Sequence, residues 1–84
     1  MQEKEIGKIK HYYSHLSVGI IELKDNLMVG DAIHIKGSTT DIQQQIDSMQ
    51  IEHSGVQEAK AGDLVGIKVS VHVRPNDAVY KILP

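Results

Sequence analysis

The amino-acid sequence predicts an all-β fold, a small closed antiparallel β-barrel of about six strands. Its aliphatic residues are mostly β-branched, with eleven Ile and eight Val against five Leu and no Phe or Trp, and such side chains suit pleated strands. Gly, Asp and Asn recur about every dozen residues, a turn spacing typical of barrels and sandwiches. At 84 residues, the chain is expected to form a single domain, 1–84.

The first half of the chain predicts a hairpin followed by shorter strands. Segments 5–13 and 17–23 are expected to pair through a short turn. After another turn at 24–26, residues 32–36 alternate in character. Ile33 and Ile35 are expected on the buried face, and His34 with Lys36 on the outward face.

The second half contains the clearest strand pattern. Within 65–73, five Val and Ile residues recur at period two, which predicts one long strand with a buried face. Pro75-Asn76 suits the centre of a tight turn, because Pro presets φ and Asn tolerates a left-handed backbone. Residues 78–82 then form the closing strand.

One segment, 42–53, fits two structures. Asp41 could cap a helix in which Ile42, Ile46 and Met49 follow at helical spacing. As a strand, the segment needs an irregularity near Asp47-Ser48 to keep its apolar residues inside. We predict a strand because of the resemblance described next.

Three segments, 29–37 (VGDAIHIKG), 48–51 (SMQI) and 59–69 (AKAGDLVGIKV), carry that resemblance. In this order they resemble the second domain of translational GTPases of the elongation factor Tu type. There a Gly-Asp turn starts an apolar strand and a second Gly-Asp turn leads to Val-Gly-Ile. The glycine of such a turn takes a positive φ, and the aspartate bonds nearby backbone donors. The resemblance implies a stand-alone β-barrel that contacts tRNA or ribosomal RNA.

The sequence also departs from that family. Its hairpin at 11–23 is longer, and Asn76 stands where glycine is usual. The GTPase domain is missing: the one Gly-Lys pair, Gly7-Lys8, lacks the rest of a phosphate-binding loop, so GTP is not expected as a ligand. A looser resemblance extends to small barrel domains appended to certain peptidases and other enzymes.

Composition excludes several classes of function. Without cysteine there is no disulfide, thiolate nucleophile or cysteine-based metal site. The charged start and the lack of a long apolar run predict a cytoplasmic protein with no membrane partner. A net charge of -2 argues against strong nucleic-acid binding, and no DNA partner is expected.

Partner contact is the chemistry that the residues favour. Tyr12 is expected to share an outward face with Lys8 and Lys10, where it could stack on a base or contact a protein. Solvated surface positions and a packing role for one tyrosine explain these residues equally well. The candidate partner-binding residues are Lys8, Lys10, Tyr12, His34, Lys36 and Lys68.

Catalysis is not expected. Five histidines invite a metal hypothesis, but His11 and His15 near the hairpin turn lack the further converging ligands that a stable site needs. Ser14 and Ser17 flank His15 without an oriented base. No enzyme activity, metal or cofactor is therefore predicted.

Two functions remain open. The first is a binding module related to translation, contacting RNA or the ribosome, with binding that weakens steeply with salt. The second is an accessory protein-interaction domain that partners a larger enzyme. This second hypothesis predicts an exposed apolar patch around the hairpin that includes Tyr12 and Leu16.

Overall fold

The computed structural model describes residues 2–83, which form ten β-strands. In chain order these are β1 (Gln2–Tyr13), β2 (Val18–Leu23), β3 (Leu27–Met28), β4 (Ala32–Lys36), β5 (Asp41–Gln45), β6 (Met49–Ile51), β7 (Ser54–Val56), β8 (Glu58–Ala59), β9 (Leu64–Lys68) and β10 (Ala78–Leu83). The prediction of an all-β fold is confirmed. No helix within 2–83 is long and apolar enough to cross a membrane.

Eight of the strands make one antiparallel sheet in the order β5-β4-β10-β1-β2-β9-β6-β7, and β3 pairs with β8 apart from it. β5 and β7 are its edges, so strand pairing does not close the sheet within the described residues. The predicted closed barrel of about six strands is therefore wrong in its closure and its strand count. A side chain nevertheless links the edge strand β5 to the end of β9. The Gln44 side-chain amide donates to the Lys68 carbonyl at 2.8 Å and accepts from Ser70 N at 3.3 Å.

The first hairpin forms as predicted, but β1 contains two irregularities. Its pairing with β10 shifts between Glu5 and Gly7, and its pairing with β2 shifts between Ile9 and His11. The second shift leaves Lys10 as an extra residue opposite β2. Such a bulge reverses which face each later residue of the strand presents.

Two Gly-Asp turns direct strands as predicted. Gly30 and Gly62 have φ of 97° and 93°, values that only glycine adopts without strain. The following aspartates each accept a backbone N–H three residues earlier: Met28 N donates to Asp31 Oδ2 at 2.9 Å, and Lys60 N to Asp63 at 2.8 Å. Each turn thus holds itself closed by local hydrogen bonds.

The predicted Pro75-Asn76 turn is confirmed as well. Asn76 has a φ of 75°, and Asp77 N donates to the Arg74 carbonyl at 3.1 Å across the turn. The buried Asp77 carboxylate also accepts from Arg74 N at 2.9 Å. The chain is therefore turned back into β10 by the same type of aspartate bond.

The ambiguous segment is extended, as predicted. β5 and β6 are strands separated by a short irregular connection at 46–48, which is where the alternation changes parity. Ile46 and Met49 at its two ends are both buried. The irregularity thus keeps apolar residues of both parities in the core.

The long strand predicted over 65–73 ends early. β9 stops at Lys68, which pairs with Val18, the first residue of β2. Beyond that point β2 offers no further partner, although Val69 and Val73 remain buried while Val71 is exposed. The period-two pattern therefore predicted the burial of these residues better than their strand pairing.

The hydrophobic core is aliphatic. Its buried side chains within 2–83 include seven isoleucines and four valines drawn from both halves of the chain. Each fully buried Ile or Val contributes about 1.5 to 3 kcal/mol by leaving water. Tyr12 packs against this cluster from its edge.

Candidate functional site

The predicted lysine candidates are exposed but are spread over three strands that are not adjacent in the sheet. Lys8 is on β1, Lys36 on β4 and Lys68 on β9. β10 separates β4 from β1, and β2 separates β1 from β9. Lys10 occupies the bulge of β1. The structure thus distributes these side chains over the sheet instead of bringing them together on one strand pair.

Carboxylates accompany many of the basic side chains. The ion pairs that lysines make among the described residues are Lys4–Asp25 at 2.5 Å, Lys24–Glu5 at 2.7 Å, Lys81–Asp31 at 3.4 Å and Lys8–Glu22 at 3.9 Å. Exposed pairs of this kind add little stability, but each cancels local positive potential. Among the candidate lysines this applies to Lys8, whose Glu22 partner lies at the long end of that range.

A charged groove of about 470 Å³ lies beside β1 and β2. Its lining includes Glu5, Lys8, Glu22 and Lys24, so acidic and basic groups are balanced. A site for an anionic ligand needs an excess of donors or cations. This groove does not provide one.

Tyr12 does not lie where the alternation pattern placed it. The bulge at Lys10 turns Tyr12 to the inner face, opposite Gly19, where it is half-buried against the core and contacts His72 at a ring distance of 4.5 Å. Tyr13 instead points outward, 48% exposed. The predicted outward orientation of Tyr12 is therefore wrong, and Tyr13 takes that position.

His34 lies on the face opposite Ile33 and Ile35, as predicted, but it is not a solvated residue. Its side chain is nearly buried, at 8% exposure for the residue, and joins three strands. Nδ1 lies 2.9 Å from Glu3 Oε2 on β1, and Nε2 lies 2.5 Å from Asp41 Oδ1 on β5. Sequence alternation could not reveal this, because Glu3 comes from a strand that is distant in the chain.

Electrostatics favour the charged form of this histidine. Hydrogen bonds to the carboxylates of Asp41 and then Glu3 raise the pKa of His34 above its ordinary value, against the opposing effect of burial. The same bond lowers the pKa of Asp41. With both ring nitrogens engaged, the imidazole presents no free lone pair, so its arrangement fits a structural clamp between β1, β4 and β5.

The histidines do not assemble a metal centre in the part of the chain that the structure describes. The two carboxylates at His34 lie on different ring nitrogens and so do not converge on one point. His11 instead contacts Tyr13 edge-on, with ring centroids 4.4 Å apart.

An apolar groove on the outer face of the sheet is the most distinctive surface feature. It measures about 440 Å³ and runs between the tip of the β1–β2 hairpin and the tip of the β6–β7 hairpin. Leu16, 61% exposed, and Leu64, 48% exposed, line it together with Tyr13. The expected patch around the first hairpin is thus present at Leu16 but not at Tyr12.

Sequence reasoning missed the other half of this groove. Leu64 and Gly66 on β9 and the 52–53 turn are brought to the first hairpin only by the sheet order. One signal was available in β2, where Val18 and Ile20 occupy the face opposite Ile21. A strand that is apolar on both faces indicates that both faces are covered.

Comparison with known proteins relates the chain to proteases. It is 44% identical over 77 residues to an uncharacterized protease of Methanocaldococcus jannaschii, covering 90% of this chain and 19% of the relative. It is 35% identical over 82 residues to a collagenase of Porphyromonas gingivalis, covering 95% of this chain and 23% of the relative. The chain spans about a fifth of the length of these relatives. No family model matches it.

Solved structures share the fold. The C-terminal domain of a U32 peptidase of Geobacillus thermoleovorans superposes with a TM-score of 0.88 at 17% identity, covering 95% of this chain and 93% of that domain. Its selenomethionine variant gives 0.86 at 16% identity, covering 90% and 96%. An all-β domain of this shape therefore occurs as the C-terminal domain of a peptidase.

These findings correct the resemblance to translational GTPases. The homologues are peptidase and collagenase-like proteins, and the structural neighbour is a peptidase domain, not the second domain of elongation factor Tu. The expected kinship with translation factors and the expected RNA or ribosome binding are wrong. The Gly-Asp turns that carried the resemblance are explained by their local hydrogen bonds, which any all-β domain can use.

Proposed function

We propose that this chain is a non-catalytic accessory domain of a larger protease of the U32 peptidase kind. The observation that carries the proposal is the pattern of coverage. Nearly the whole chain aligns with proteins named protease and collagenase, yet it corresponds to only about a fifth of each. The remaining four fifths of such a protein provide room for a separate catalytic part.

The described residues support a binding role over a catalytic one. A protease needs a nucleophile or activated water beside an oriented base. His34 is the buried histidine here, and both of its nitrogens are bonded to carboxylates. The exposed apolar groove, in contrast, is a feature typical of interaction surfaces.

The test uses the Porphyromonas gingivalis collagenase in three forms: intact, with the segment aligned to this chain deleted, and with that segment replaced by this chain. We expect deletion to lower collagen cleavage and replacement to restore it, because the accessory domain supports the catalytic part. The isolated 84-residue chain should cleave no collagen by itself. Cleavage by the isolated chain, or a replaced enzyme no more active than the deleted one, would refute the proposal.

A further inference from the structure

We infer that the apolar groove between the two hairpin tips is the surface on which this domain docks against the catalytic part of the protease. The groove is defined by Tyr13, Leu16, Val18, Ile20, Leu64 and Gly66. The inference rests on the proposed function and assigns it a surface. It goes beyond the comparisons, which concern the whole domain.

The floor of the groove exists because one strand lacks a side chain. Gly66 on β9 pairs with Ile20 on β2 and with Gln50 on β6. A Cβ built at Gly66 would lie 3.4 Å from Ile20 Cδ1 and 3.4 Å from Val18 Cγ1, an ordinary contact. The backbone there does not require glycine, so the missing side chain leaves space above the sheet for a group from elsewhere.

The walls of the groove carry backbone strain. Within 2–83, four non-glycine residues have positive φ, and three of them lie in the two hairpin tips: Ser17 at 55°, Glu52 at 51° and His53 at 66°. Such conformations cost about 1 to 2 kcal/mol each for a residue with a Cβ. Glu52 and His53 fill the two central positions of a tight hairpin turn where Asn-Gly would be unstrained. Of these three residues, Glu52 and His53 line the groove, and strain retained there supports a role for their side chains beyond folding.

The protease relatives indicate the occupant. In them the matched segment is part of a chain about five times as long as the segment, so an equivalent domain is tethered to a large neighbour. Tethering raises the effective concentration of that neighbour to about the millimolar range for a short linker. A modest apolar contact is therefore enough to hold the two parts together. We infer that the catalytic part presents a convex apolar ridge to the groove, with a basic side chain facing Glu52 at its rim.

The sheet offers a closely matched pair of variants. Leu64 is 48% exposed and lies opposite Glu22, and Met28 is 46% exposed and lies opposite Glu58 outside the groove. A lysine at either position faces a glutamate across the strand pair, which favours the pair slightly. Leu64→Lys thus places a charge in the groove, while Met28→Lys makes the same change elsewhere. Gly66→Val fills the groove with a strand-favouring side chain.

The experiment places each variant in the collagenase whose aligned segment has been replaced by this chain. We expect Leu64→Lys and Gly66→Val to lower collagen cleavage at least about tenfold, as loss of an interface anchor does, and Met28→Lys to leave it unchanged. The isolated variants should keep urea unfolding midpoints close to the parent chain, which separates loss of docking from loss of fold. If both groove variants cleave as well as Met28→Lys, the groove is not the docking surface.

A cross-link identifies the occupant directly. A photoreactive benzoyl-phenylalanine in place of Leu16 should attach to peptides of the catalytic part of the same enzyme, and one in place of Met28 should not. Attachment to collagen would make the groove a substrate site, and attachment to a second enzyme molecule would make it a self-association site. Either result, or no attachment, overturns the inference. If the parent replacement does not restore cleavage, the proposed function itself fails.

Discussion

The central strand β1 contains a position at which one added methyl group should cost the domain a large share of its stability. Gly7 pairs with Leu23 on β2 and with Val79 on β10. A Cβ at this position would lie well inside van der Waals contact of the Glu22 carbonyl oxygen and 3.2 Å from Ile21 Cγ2. Because the first of these atoms belongs to a paired backbone, it cannot swing aside as a side chain could.

The size of the effect follows from this geometry. Overpacking against well-packed surroundings costs about 1 to 3 kcal/mol, and contact with a fixed backbone places Gly7→Ala at the upper end, near 3 kcal/mol. A chain of 84 residues has a total free energy of unfolding of roughly 4 to 13 kcal/mol. The variant should therefore lose a large share of its stability.

The assay is urea unfolding followed by far-ultraviolet circular dichroism. With a slope of about 1 kcal/mol per molar urea for a small domain, Gly7→Ala should lower the midpoint by about 3 M. Gly55→Ala on β7 is the matched control. Its Cβ meets no atom within 4 Å, so we expect a gain of up to about 1 kcal/mol from reduced freedom of the unfolded chain. Equal midpoints for the two variants would refute this reasoning.

Two further predictions concern polar groups. The pKa of His34 is raised from 6.5, so its contribution to the stability of the fold is complete below that value and is lost as pH rises through the folded-state pKa. The pKa of Asp41 is lowered from 3.8, so its contribution is lost as pH falls through its own folded-state pKa. The advantage of the parent chain over His34→Gln in urea midpoint should therefore be larger at pH 5.5 than at pH 8.5, and an equal advantage would contradict the clamp. Thr40 Oγ1 is buried without a hydrogen-bond partner in the described chain, so Thr40→Val should raise the free energy of unfolding by about 1 to 2 kcal/mol. Thr39→Val, which removes the acceptor of Arg74 Nε at 3.0 Å, should give no gain, and a Thr40→Val variant no more stable than the parent would disprove this account.

The features predicted best from the sequence are those that depend on residues close together in the chain. The turns at Gly30-Asp31 and Pro75-Asn76 were predictable because their φ values and aspartate bonds involve residues within three positions. For 42–53 the local pattern fits both a helix and a strand, and the resemblance that favours the strand is wrong about kinship. The strands themselves are confirmed. The resemblance could be wrong about the family and still predict the strands correctly, because Gly-Asp turns that start apolar strands occur in many all-β domains.

The face of the sheet on which a side chain lies was predicted less well, because it depends on how each strand is aligned with its partner strands. A single extra residue at Lys10 exchanges the faces of Tyr12 and Tyr13, and nothing in the local pattern marks that residue as a bulge. His34 shows the same limit in another way. Its alternation indicated an outward side chain, and it is outward from the aliphatic core. However, it is covered by Asp41 on the adjacent strand β5 and by Glu3 on β1, which lies beyond β10. The burial of His34 results from the order of the strands in the sheet, and the alternation of residues within one strand gives no information about that order.

One side of the candidate groove could be predicted from local sequence, and the other side depends on strand order. Leu16 could be predicted to be exposed because it lies at a hairpin tip, whereas Leu64 becomes part of the same surface only because β9 pairs with β2. The sequence of β2 nevertheless indicated that its outer face is covered, since Val18 and Ile20 make that face apolar as well. In a monomer that exposes one face of its sheet, these positions would be expected to be polar. Apolar residues on both faces of a strand, one face buried and the other lining a groove, are what a domain that docks onto a larger protein requires.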